Sequence, residues 1–347
     1  MQTFEQQSRF LKRSLAAIAV LGLSAATFVA SPAAEAASRH PSGIVFISDR
    51  DSPSPDQLSD EVYLYEPATR HTSRLTNNAV AESFPVISPD GRYLAYVDGL
   101  GISVCALSYR AGSWSSGEPR VVVSYPSPAN GRFAWTPDGQ SIVYSGVDPV
   151  DQDGDVFIIN LFDLTPVRNL TQEAPGETAA FDGQPTVSPD GRFIVYGRTE
   201  AGGGNLYRRR IDGSHPVKLT ATASAAEFGP AYSPDGSHIA FHSNRGHPAN
   251  FDIYVMKARP ESAFNPAIDL TDELTAPDGT PSRERFPSWS PDGRRITFWW
   301  HVTPDGFTDG EIYTMRSDGT HIRNITANNS DDPSGDILPS WGRTHNR

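Results

Sequence analysis

The sequence contains one cysteine, few basic residues and one long apolar run. Its 347 residues include only Cys105, which excludes an intramolecular disulfide and any zinc site built on a pair of cysteines. Lysine and arginine together number 29 against 41 aspartates and glutamates, and the formal net charge is −12. Nucleic acid is therefore not an expected partner, because binding to phosphates needs clustered basic residues.

Several sequence signatures of enzymes are also missing. The chain contains no P-loop, no H-E-x-x-H zinc motif and no G-x-S-x-G elbow of serine hydrolases. Cys105 lies in ISVCAL (102–107), an apolar strand-like run without an activating base. We interpret it as a buried packing residue, because a reactive thiol needs a neighbour that lowers its pKa. These absences favour a binding protein over an enzyme.

The one long apolar run lies near the N terminus and is typical of a secretory signal peptide. A basic segment (residues 9–13) precedes the apolar run 15–30, and small residues lead to an A-x-A cleavage site that ends at Ala36. An uncleaved membrane anchor is the alternative, but the run is short and alanine-rich for a spanning helix. We expect removal of residues 1–36 and export to the periplasm, or secretion, without stable membrane insertion.

A phrase that begins as FPVISPDGRYLAYV (84–97) occurs five times along the chain. Its Pro-Asp-Gly turns begin at Pro89, Pro137, Pro189, Pro234 and Pro291. Each unit holds a short strand ending in Ser or Thr, the turn, a strand rich in β-branched and aromatic residues, another strand such as VYLY (62–65), and usually a short strand ending in Leu-Thr or Ile-Thr. The second unit departs here and reads VVVS (121–124). Four short antiparallel strands per repeat predict one propeller blade.

The two ends of the chain complete one further blade. GIVFISDR (43–50) matches the strand that follows the turn, and LPSWGR (338–343) matches the strand that precedes it. A ring closed in this way leaves no unpaired sheet edge. Five full units and one assembled from both ends therefore predict an all-β, six-bladed β-propeller. The whole chain from residue 37 to 347 is expected to form this single domain.

The repeated Ser-Pro-Asp-Gly turn, the E/D-I-Y strand and the Leu-Thr ending closely resemble the WD40-like repeats of TolB-type six-bladed propellers. The resemblance covers about residues 42–343. It implies a periplasmic protein whose propeller docks envelope proteins or peptide segments, and whose channel can hold Ca²⁺. TolB proteins carry a separate α/β domain before the propeller, and the segment between Ala36 and Gly43 is too short for one. We therefore expect a stand-alone, monomeric TolB-like propeller, by analogy of fold.

One position of the repeat is acidic in nearly every unit. Six residues before the Ser or Thr of the five turns lie Glu82, Asn130, Asp182, Glu227 and Glu284, and Asp336 holds the equivalent position in the last strand. A proline follows each acid three residues later. The strand before the turn is the innermost in this architecture, so these side chains are expected at one mouth of the central channel. Such carboxylates repel one another unless a cation or a basic group lies among them, and oxygen ligands suit Ca²⁺. The alternative is that each acid caps its own loop, a structural role that repeats with the blade.

A second candidate metal site is the acidic stretch DPVDQDGDV (148–156). Asp151, Asp153 and Asp155 alternate like the first half of a calcium loop, although the glycine comes at the fourth position and Phe162 replaces the closing glutamate. An ordinary acidic loop is the alternative reading. It is favoured because Asp155 shares its repeat position with Glu61, Asn205, Asp252 and Glu311.

The sequence favours a non-enzymatic platform that binds a protein segment over the acidic mouth, with Ca²⁺ as its possible cofactor. Variable loops at 50–60, 148–154, 244–250 and 302–310 are expected to form the rim. The rival is a propeller-type polysaccharide lyase, or another enzyme acting on acidic oligosaccharides. That enzyme would need basic side chains in the channel, and the candidates are Arg132, Arg198, Arg245 and Arg285. His242 and His301 are its candidate metal-binding pair.

Overall fold

The structure is a computed structural model whose described residues form β-strands and turns. They are 42–51, 60–124, 131–148, 152–163, 166–172, 180–200, 202–248, 250–259, 266–272, 274, 282–301, 310–326 and 335–345. Within these stretches there is no helix, and so none that is long and apolar enough to cross a bilayer. The predicted signal peptide, residues 1–36, lies outside them.

The strands form six antiparallel sheets, which we call blades 1 to 6. Blade 1 holds β1 (Ser42–Ser48), β2 (Glu61–Glu66) and β3 (His71–Arg74), and blade 2 holds β4 (Ser83–Ile87), β5 (Tyr93–Asp98), β6 (Gly101–Arg110), β7 (Ser113–Ser116) and β8 (Arg120–Ser124). Blade 3 holds β9 (Phe133–Trp135), β10 (Ser141–Val147), β11 (Gly154–Asn160) and β12 (Arg168–Asn169), and blade 4 holds β13 (Phe181–Val187), β14 (Phe193–Glu200), β15 (Gly203–Arg210) and β16 (Val217–Lys218). Blade 5 holds β17 (Glu227–Tyr232), β18 (His238–Ser243), β19 (Asp252–Lys257) and β20 (Ala267–Asp269), and blade 6 holds β21 (Arg283–Trp289), β22 (Arg295–His301), β23 (Glu311–Arg316) and β24 (Arg323–Asn324). The last strand, β25 (Asp336–Arg343), joins blade 1.

Blade 1 is assembled from both ends of the chain, as predicted. Its strand order is β25-β1-β2-β3, so the C-terminal strand takes the innermost position that the other blades fill with the strand before the turn. The β25–β1 register runs from Ser42 opposite Arg343 to Ser48 opposite Asp336. The six-bladed, all-β propeller expected from the repeat is therefore confirmed.

Blade 2 differs from the others in its outer part. The long strand β6 pairs with β8 through its first half and with β7 through its second half. The VVVS stretch thus lies in β8, in the outer position, and β7 is an additional hairpin strand. It binds blade 1, since Trp114 donates its backbone N–H to Ser73 Oγ at 3.1 Å and Ser116 Oγ donates to Leu75 O at 2.5 Å.

The Ser-Pro-Asp-Gly turn is held by its own side chains. Ser88 Oγ donates to Asp90 Oδ1 at 2.6 Å, and the same carboxylate oxygen accepts the Arg92 backbone N–H at 3.1 Å. Gly91 follows with φ of 73°, in the left-handed region that favours glycine. The bond from the turn hydroxyl to the turn carboxylate recurs at Asp138, Asp190, Asp235 and Asp292. The turn is therefore specified locally, which explains why the same residues recur in five of the six blades.

Removal of one turn carboxylate is expected to destabilise the protein modestly. Asp235 Oδ1 accepts from Ser233 Oγ at 2.6 Å and from the Ser237 backbone N–H at 3.0 Å, and these bonds lower the pKa of Asp235 to about 2. We expect Asp235→Ala to reduce the free energy of unfolding at pH 7 by about 1 kcal/mol, measured by urea titration. The folded-state pKa lies below the unfolded one, so this difference should vanish as the pH falls toward about 2.

The matched control for that experiment is Glu118→Ala, at an exposed position outside the turns. It should leave the unfolding midpoint unchanged. Equal stability of Asp235→Ala and the wild type at pH 7 would mean that the backbone alone holds the turn.

The Leu-Thr ending of the repeat attaches the outer strand to the third strand. Leu75 donates its backbone N–H to Val62 O at 2.8 Å, while Thr76 Oγ1 accepts the Val62 N–H at 2.8 Å. Each hydroxyl thus satisfies a buried backbone donor at the start of the third strand. The same bond is made by Thr171, Thr220, Thr271 and Thr326.

Stacked aromatic pairs join the second and third strands of five blades. Their ring centroids lie 5.7 to 6.1 Å apart in the pairs Phe46–Tyr63, Tyr144–Phe157, Tyr196–Tyr207, Phe241–Tyr254 and Phe298–Tyr313. Blade 2 places Tyr96 opposite Ser103 instead. Buried aliphatic residues such as Val45 and Ile194 pack on the neighbouring sheet, so the core consists of layers between successive blades.

Candidate functional site

The innermost strands enclose a cavity of about 1160 Å³ on the axis of the ring. It extends from the prolines of the turns, such as Pro89 and Pro234, to the level of Phe84 and Phe286 near the starts of the inner strands. The described residues that line it include the arginines Arg132 and Arg343 and no aspartate or glutamate. The described wall of the channel is therefore neutral or basic.

Five of the six predicted mouth residues are described, and Asn130 lies outside the described stretches. All five lie at the start of an innermost strand, within its first two residues or directly before it, as the repeat predicts. Their side chains, however, are enclosed in protein, with exposed fractions of 2% or less, and they do not line the cavity: Glu82, Asp182, Glu227, Glu284 and Asp336. A binding role for these residues stays a prediction.

Three of these carboxylates form ion pairs within their own blade. The pairs are Asp182 with Arg198 at 2.7 Å, Asp336 with Arg50 at 2.7 Å, and Glu227 with Arg245. Each arginine also lies over the stacked aromatic pair of that blade, 5.0 to 5.2 Å from a tyrosine ring centroid. The acid, the arginine and the aromatic pair thus form a unit that recurs in three blades. In this unit the carboxylate is bound by a guanidinium, whereas a loop cap would bind it through backbone N–H groups.

Glu82 and Glu284 have no such arginine partner. Glu82 accepts hydrogen bonds from Thr76 Oγ1 at 2.7 Å and from Asn78 Nδ2 at 2.5 Å, and burial raises its pKa to about 7. Glu284 has no charged partner among the described residues, and the polar group beside it is the hydroxyl of Ser282, which donates to Leu274 O at 2.9 Å. Burial raises the pKa of Glu284 to about 9, so this side chain is protonated at neutral pH. Trp300 stands opposite Glu284, where blade 4 has Arg198 opposite Asp182.

A backbone irregularity follows each of the five acids. The residue two positions later has positive φ, and the strand register shifts around it. These residues are Phe84, Gln184, Gly229, Phe286 and Leu338. Because Phe84, Phe286 and Leu338 line the cavity, the irregularity turns bulky side chains toward the axis. In the repeat, the acid lies two residues before this positive-φ position and the proline directly after it. Both residues are therefore part of the bend.

The acidic stretch 148–156 is only partly described, because Asp151 lies outside the described stretches. Asp155 accepts hydrogen bonds from Thr171 Oγ1 at 2.7 Å and from Asn169 Nδ2 at 2.6 Å, and the same amide donates to Asp148 at 2.8 Å. No group of three or more acidic, histidine or cysteine side chains among the described residues is arranged to hold a metal ion. The described carboxylates thus bind amide and hydroxyl donors, and Ca²⁺ at Asp151, Asp153 and Asp155 stays a prediction.

Of the four arginines considered for the channel, two are engaged by acids and two are not. Arg198 and Arg245 form the ion pairs described above, whereas Arg132 and Arg285 have no carboxylate partner among the described residues. Arg132 of blade 3 crosses the axis and donates to Pro287 O of blade 6 at 3.3 Å. Burial lowers the pKa of Arg132 to about 10, so it stays charged at neutral pH.

Histidines and the cysteine complete the inventory of reactive groups. His242 and His301 are both buried and lie on one connected set of rings, with Phe286 5.3 Å from His242 and Trp299 5.3 Å from His301. Phe286 and Trp299, whose ring centroids are 6.3 Å apart, stand between the two histidines. Cys105 is buried, and burial raises its pKa to about 12, which agrees with its interpretation as a packing residue.

Sequence reasoning did not single out the role of Arg132 as the residue that crosses the channel. One signal was available: blade 3 is the unit whose mouth position is Asn130 and in which Phe133 replaces the proline. Its inner strand pairs without the register shift of the other five blades. The positive φ falls at Gly131, one residue earlier in the repeat than in the other blades, and Arg132, which follows it, reaches the axis.

Comparison with known proteins finds a relative of this chain. It is 30% identical over 217 residues to the uncharacterized protein Atu1656 of Agrobacterium fabrum, a match that spans 61% of this chain and 67% of that protein. No protein-family model matches the sequence.

The solved structures similar to this chain are also propellers. TolB from Acinetobacter baumannii matches with a TM-score of 0.62 and 18% identity over 86% of this chain. A TolB-type structure from Agrobacterium tumefaciens matches with a TM-score of 0.59 and 20% identity, also over 86% of this chain. The matches span 66% and 97% of those chains, so this chain covers about two thirds of the Acinetobacter protein. An oligogalacturonate lyase in complex with manganese matches less well, with a TM-score of 0.51 and 15% identity over 79% of this chain and 72% of the lyase. The chain belongs to one family with Atu1656 of Agrobacterium fabrum, and its fold is the TolB-like six-bladed β-propeller.

Proposed function

We propose that this chain is an exported, non-enzymatic β-propeller that binds a protein or peptide segment of the cell envelope in its central channel. The observation that carries the proposal is the cavity of about 1160 Å³ enclosed by the innermost strands. A rigid ring with an accessible axis can accept a ligand without rearranging its own blades. The similarity in fold to TolB structures supports a binding platform and a periplasmic location.

The lining of the channel suits an extended segment with mixed side chains. Trp135, Trp289 and Trp341 supply apolar surface, while Ser288 and Ser340 supply hydroxyl groups. Aromatic surface combined with a few polar groups is the usual composition of a specific ligand site. These tryptophans also pack between blades, so their positions are fixed before a ligand arrives.

The mouth residues Glu82, Asn130, Asp182, Glu227, Glu284 and Asp336 are part of the proposal as a second region on which binding depends. Three of its carboxylates are already compensated by arginines, so the described residues do not fit a calcium site there. A role in binding through the bends that place Phe84, Phe286 and Leu338 on the cavity wall predicts that Asn or Gln variants lose binding while remaining folded. Loss of stability without a separate loss of binding would assign them to the scaffold alone.

A channel-filling variant tests the proposal. Thr186 lies in β13 and lines the cavity, so Thr186→Trp should obstruct the channel. We expect a tagged wild-type protein to retain a specific protein from its own cell-envelope extract. The purified partner should then bind Thr186→Trp at least about tenfold more weakly by calorimetry, as expected when a buried contact is lost.

The control for this variant adds the same ring on the outside of the propeller. Ile268 in β20 is 68% exposed, and Ile268→Trp should retain wild-type affinity. Equal affinity of both tryptophan variants and the wild type would place the binding surface outside the channel.

An enzyme acting on acidic oligosaccharides is the second candidate function. It is favoured by the arginines Arg132 and Arg343 in a lining whose described residues include no carboxylate. A lyase would convert oligogalacturonate into unsaturated products that absorb in the ultraviolet. Turnover by the wild type that is lost in Thr186→Trp would replace the binding proposal with this one.

A further inference from the structure

At the inner end of the channel, the level of Phe84 and Phe286, three basic side chains lie without an acidic partner among the described residues. Arg132 lines the cavity, whereas Arg285 and His242 lie next to Phe286. Arg132 Nη1, Arg285 Nε and His242 Nδ1 are all buried and have no hydrogen-bond partner. His242 is only 4% exposed. Elsewhere in the ring, Arg50, Arg198 and Arg245 are each matched by a carboxylate, so this group departs from the pattern of its own fold.

Two of these nitrogens are neighbours, because both lie against the backbone of Gly229. A Cβ atom added at Gly229 would lie 2.6 Å from His242 Nδ1 and 2.9 Å from Arg132 Nη1. Gly229 has φ of 61°, at the bend of β17. The side chains come from blades 3 and 5, and they meet here because Arg132 crosses the axis to reach Pro287 of blade 6.

Aromatic rings surround the three basic groups. The His242 ring packs edge-on against Phe251 at 5.4 Å and against Phe286 at 5.3 Å. The Arg285 guanidinium lies 4.3 Å from the Phe251 centroid, and that of Arg132 lies 5.8 Å from the Phe286 centroid. Apolar walls exclude water, so an electrostatic interaction with a ligand is stronger here than at the protein surface.

The two guanidinium groups carry uncompensated positive charge. Burial lowers the pKa of Arg132 and that of Arg285 to about 10 each, which leaves both charged at neutral pH. Burial, together with these two charges, lowers the pKa of His242 well below its usual range, so the imidazole is neutral. Enclosed charge without a partner is unfavourable, and an anion that enters the group would remove that cost. A carboxylate fits well, because its two oxygens match the geometry of a guanidinium.

We propose that Arg132, Arg285 and His242 form a carboxylate-binding site at the inner end of the channel, and that its ligand is a carboxylate of the bound protein segment. The arginines balance its charge, and a neutral His242 with its proton on Nδ1 donates a further hydrogen bond. The assignment to a protein segment rests on the proposed function; the carboxylate site rests on the geometry alone. The carboxylate belongs either to an acidic side chain or to the C terminus of the segment.

Small probes of known charge test the site on the purified protein. N-acetylglycylglycine carries only a C-terminal carboxylate, N-acetylglutamyl amide carries only a side-chain carboxylate, and N-acetylglycylglycine amide carries no charge. We expect one of the two carboxylate probes to raise the unfolding temperature in a saturable manner, because a ligand of the folded state stabilises it. The uncharged amide and chloride at equal ionic strength should have no such effect. The probe that binds more tightly identifies the source of the carboxylate.

Arg132→Met is the informative variant, and Arg245→Met is its matched control. Without a probe, Arg132→Met should unfold at a higher temperature than the wild type, because an unpaired buried charge is removed, whereas Arg245→Met should unfold at a lower one. Arg132→Met should bind the carboxylate probe about tenfold more weakly or worse, which is the effect of one charge-assisted hydrogen bond, and Arg245→Met should bind it normally.

The outcomes separate this inference from the proposed function. Equal probe binding by the wild type and Arg132→Met, or no effect beyond that of chloride, would overturn the site. Binding of trigalacturonate but of neither peptide probe would overturn the peptide source. If a carboxylate probe binds but no protein segment does, the site stands and the proposed function fails. If the captured partner binds Arg132→Met as tightly as the wild type, the proposed function stands and the inference fails.

Discussion

A chain lacking residues 336–347 is expected to lose its cooperative unfolding transition, with a loss of stability of more than about 5 kcal/mol, comparable to that of a whole domain. The deletion removes β25 and exposes the edge of β1 along its length. It also removes Leu338 and Trp341 from the largest core cluster and leaves Arg50 without Asp336. Urea unfolding followed by circular dichroism measures the loss, and light scattering detects association of the exposed edges.

A circular permutant is the control for this deletion. Ser42 lies opposite Arg343, so a short linker can join the two ends of the described chain. New termini in the exposed turn at 68–69, between β2 and β3, keep all strands in the protein. The permutant should unfold close to the wild type. Unchanged stability of the truncated chain would show that closure of blade 1 by β25 contributes little.

Two glutamates at equivalent positions of the repeat are expected to respond to the same substitution with opposite signs. Glu227→Gln should lower the free energy of unfolding by about 3–5 kcal/mol, because it leaves the buried Arg245 guanidinium without its carboxylate. Glu284→Gln should raise it by about 3 kcal/mol at pH 7, because the folded wild type must keep this enclosed side chain protonated whereas the unfolded chain releases the proton. Urea titration of the two variants beside the wild type gives both values.

The pH dependence of Glu284→Gln follows from the direction of the pKa shift. Burial raises the folded-state pKa of Glu284 to about 9, above the unfolded value of 4.5, so the folded protein retains a proton that the unfolded chain releases. Stability of the wild type therefore falls as the pH rises from about 4.5 to about 9, and the advantage of the variant grows over that window. The two proteins should be nearly equal at pH 5. A destabilised Glu284→Gln at both pH 5 and pH 8 would mean that this carboxylate is ionised and paired.

Local chemistry explains why so much of the fold can be predicted from the sequence. The Ser-Pro-Asp-Gly turn is held by bonds between residues two to five positions apart, as between Ser88 and Tyr93. The Leu-Thr ending is also bound within its own repeat, since Thr76 Oγ1 accepts the backbone N–H of Val62, 14 residues earlier. Because each blade depends on interactions within one repeat, counting the repeats gives the number of blades. The match between the two ends of the chain gives the closure.

The candidate site depends instead on residues that are distant in the chain. The sequence shows that position 182 and its equivalents are acidic, but not that Arg198 or Arg245 neutralises some of them while Glu284 is left alone. Whether an acid has an arginine partner depends on the residues at the end of the second strand of its blade, and these residues differ from blade to blade. Arg198 stands opposite Asp182, for example, whereas Trp300 stands opposite Glu284.

The sequence by itself determined the ring, its six blades and the strand that closes it, since these follow from turn chemistry and strand pattern repeated along the chain. Only the tertiary structure decided what stands on the axis. Arg132 meets Pro287, 155 residues later, because opposite blades of a closed ring face each other across the channel. No local sequence pattern predicts a contact between residues so far apart in the chain. This contact places the positive charge of Arg132 in the channel.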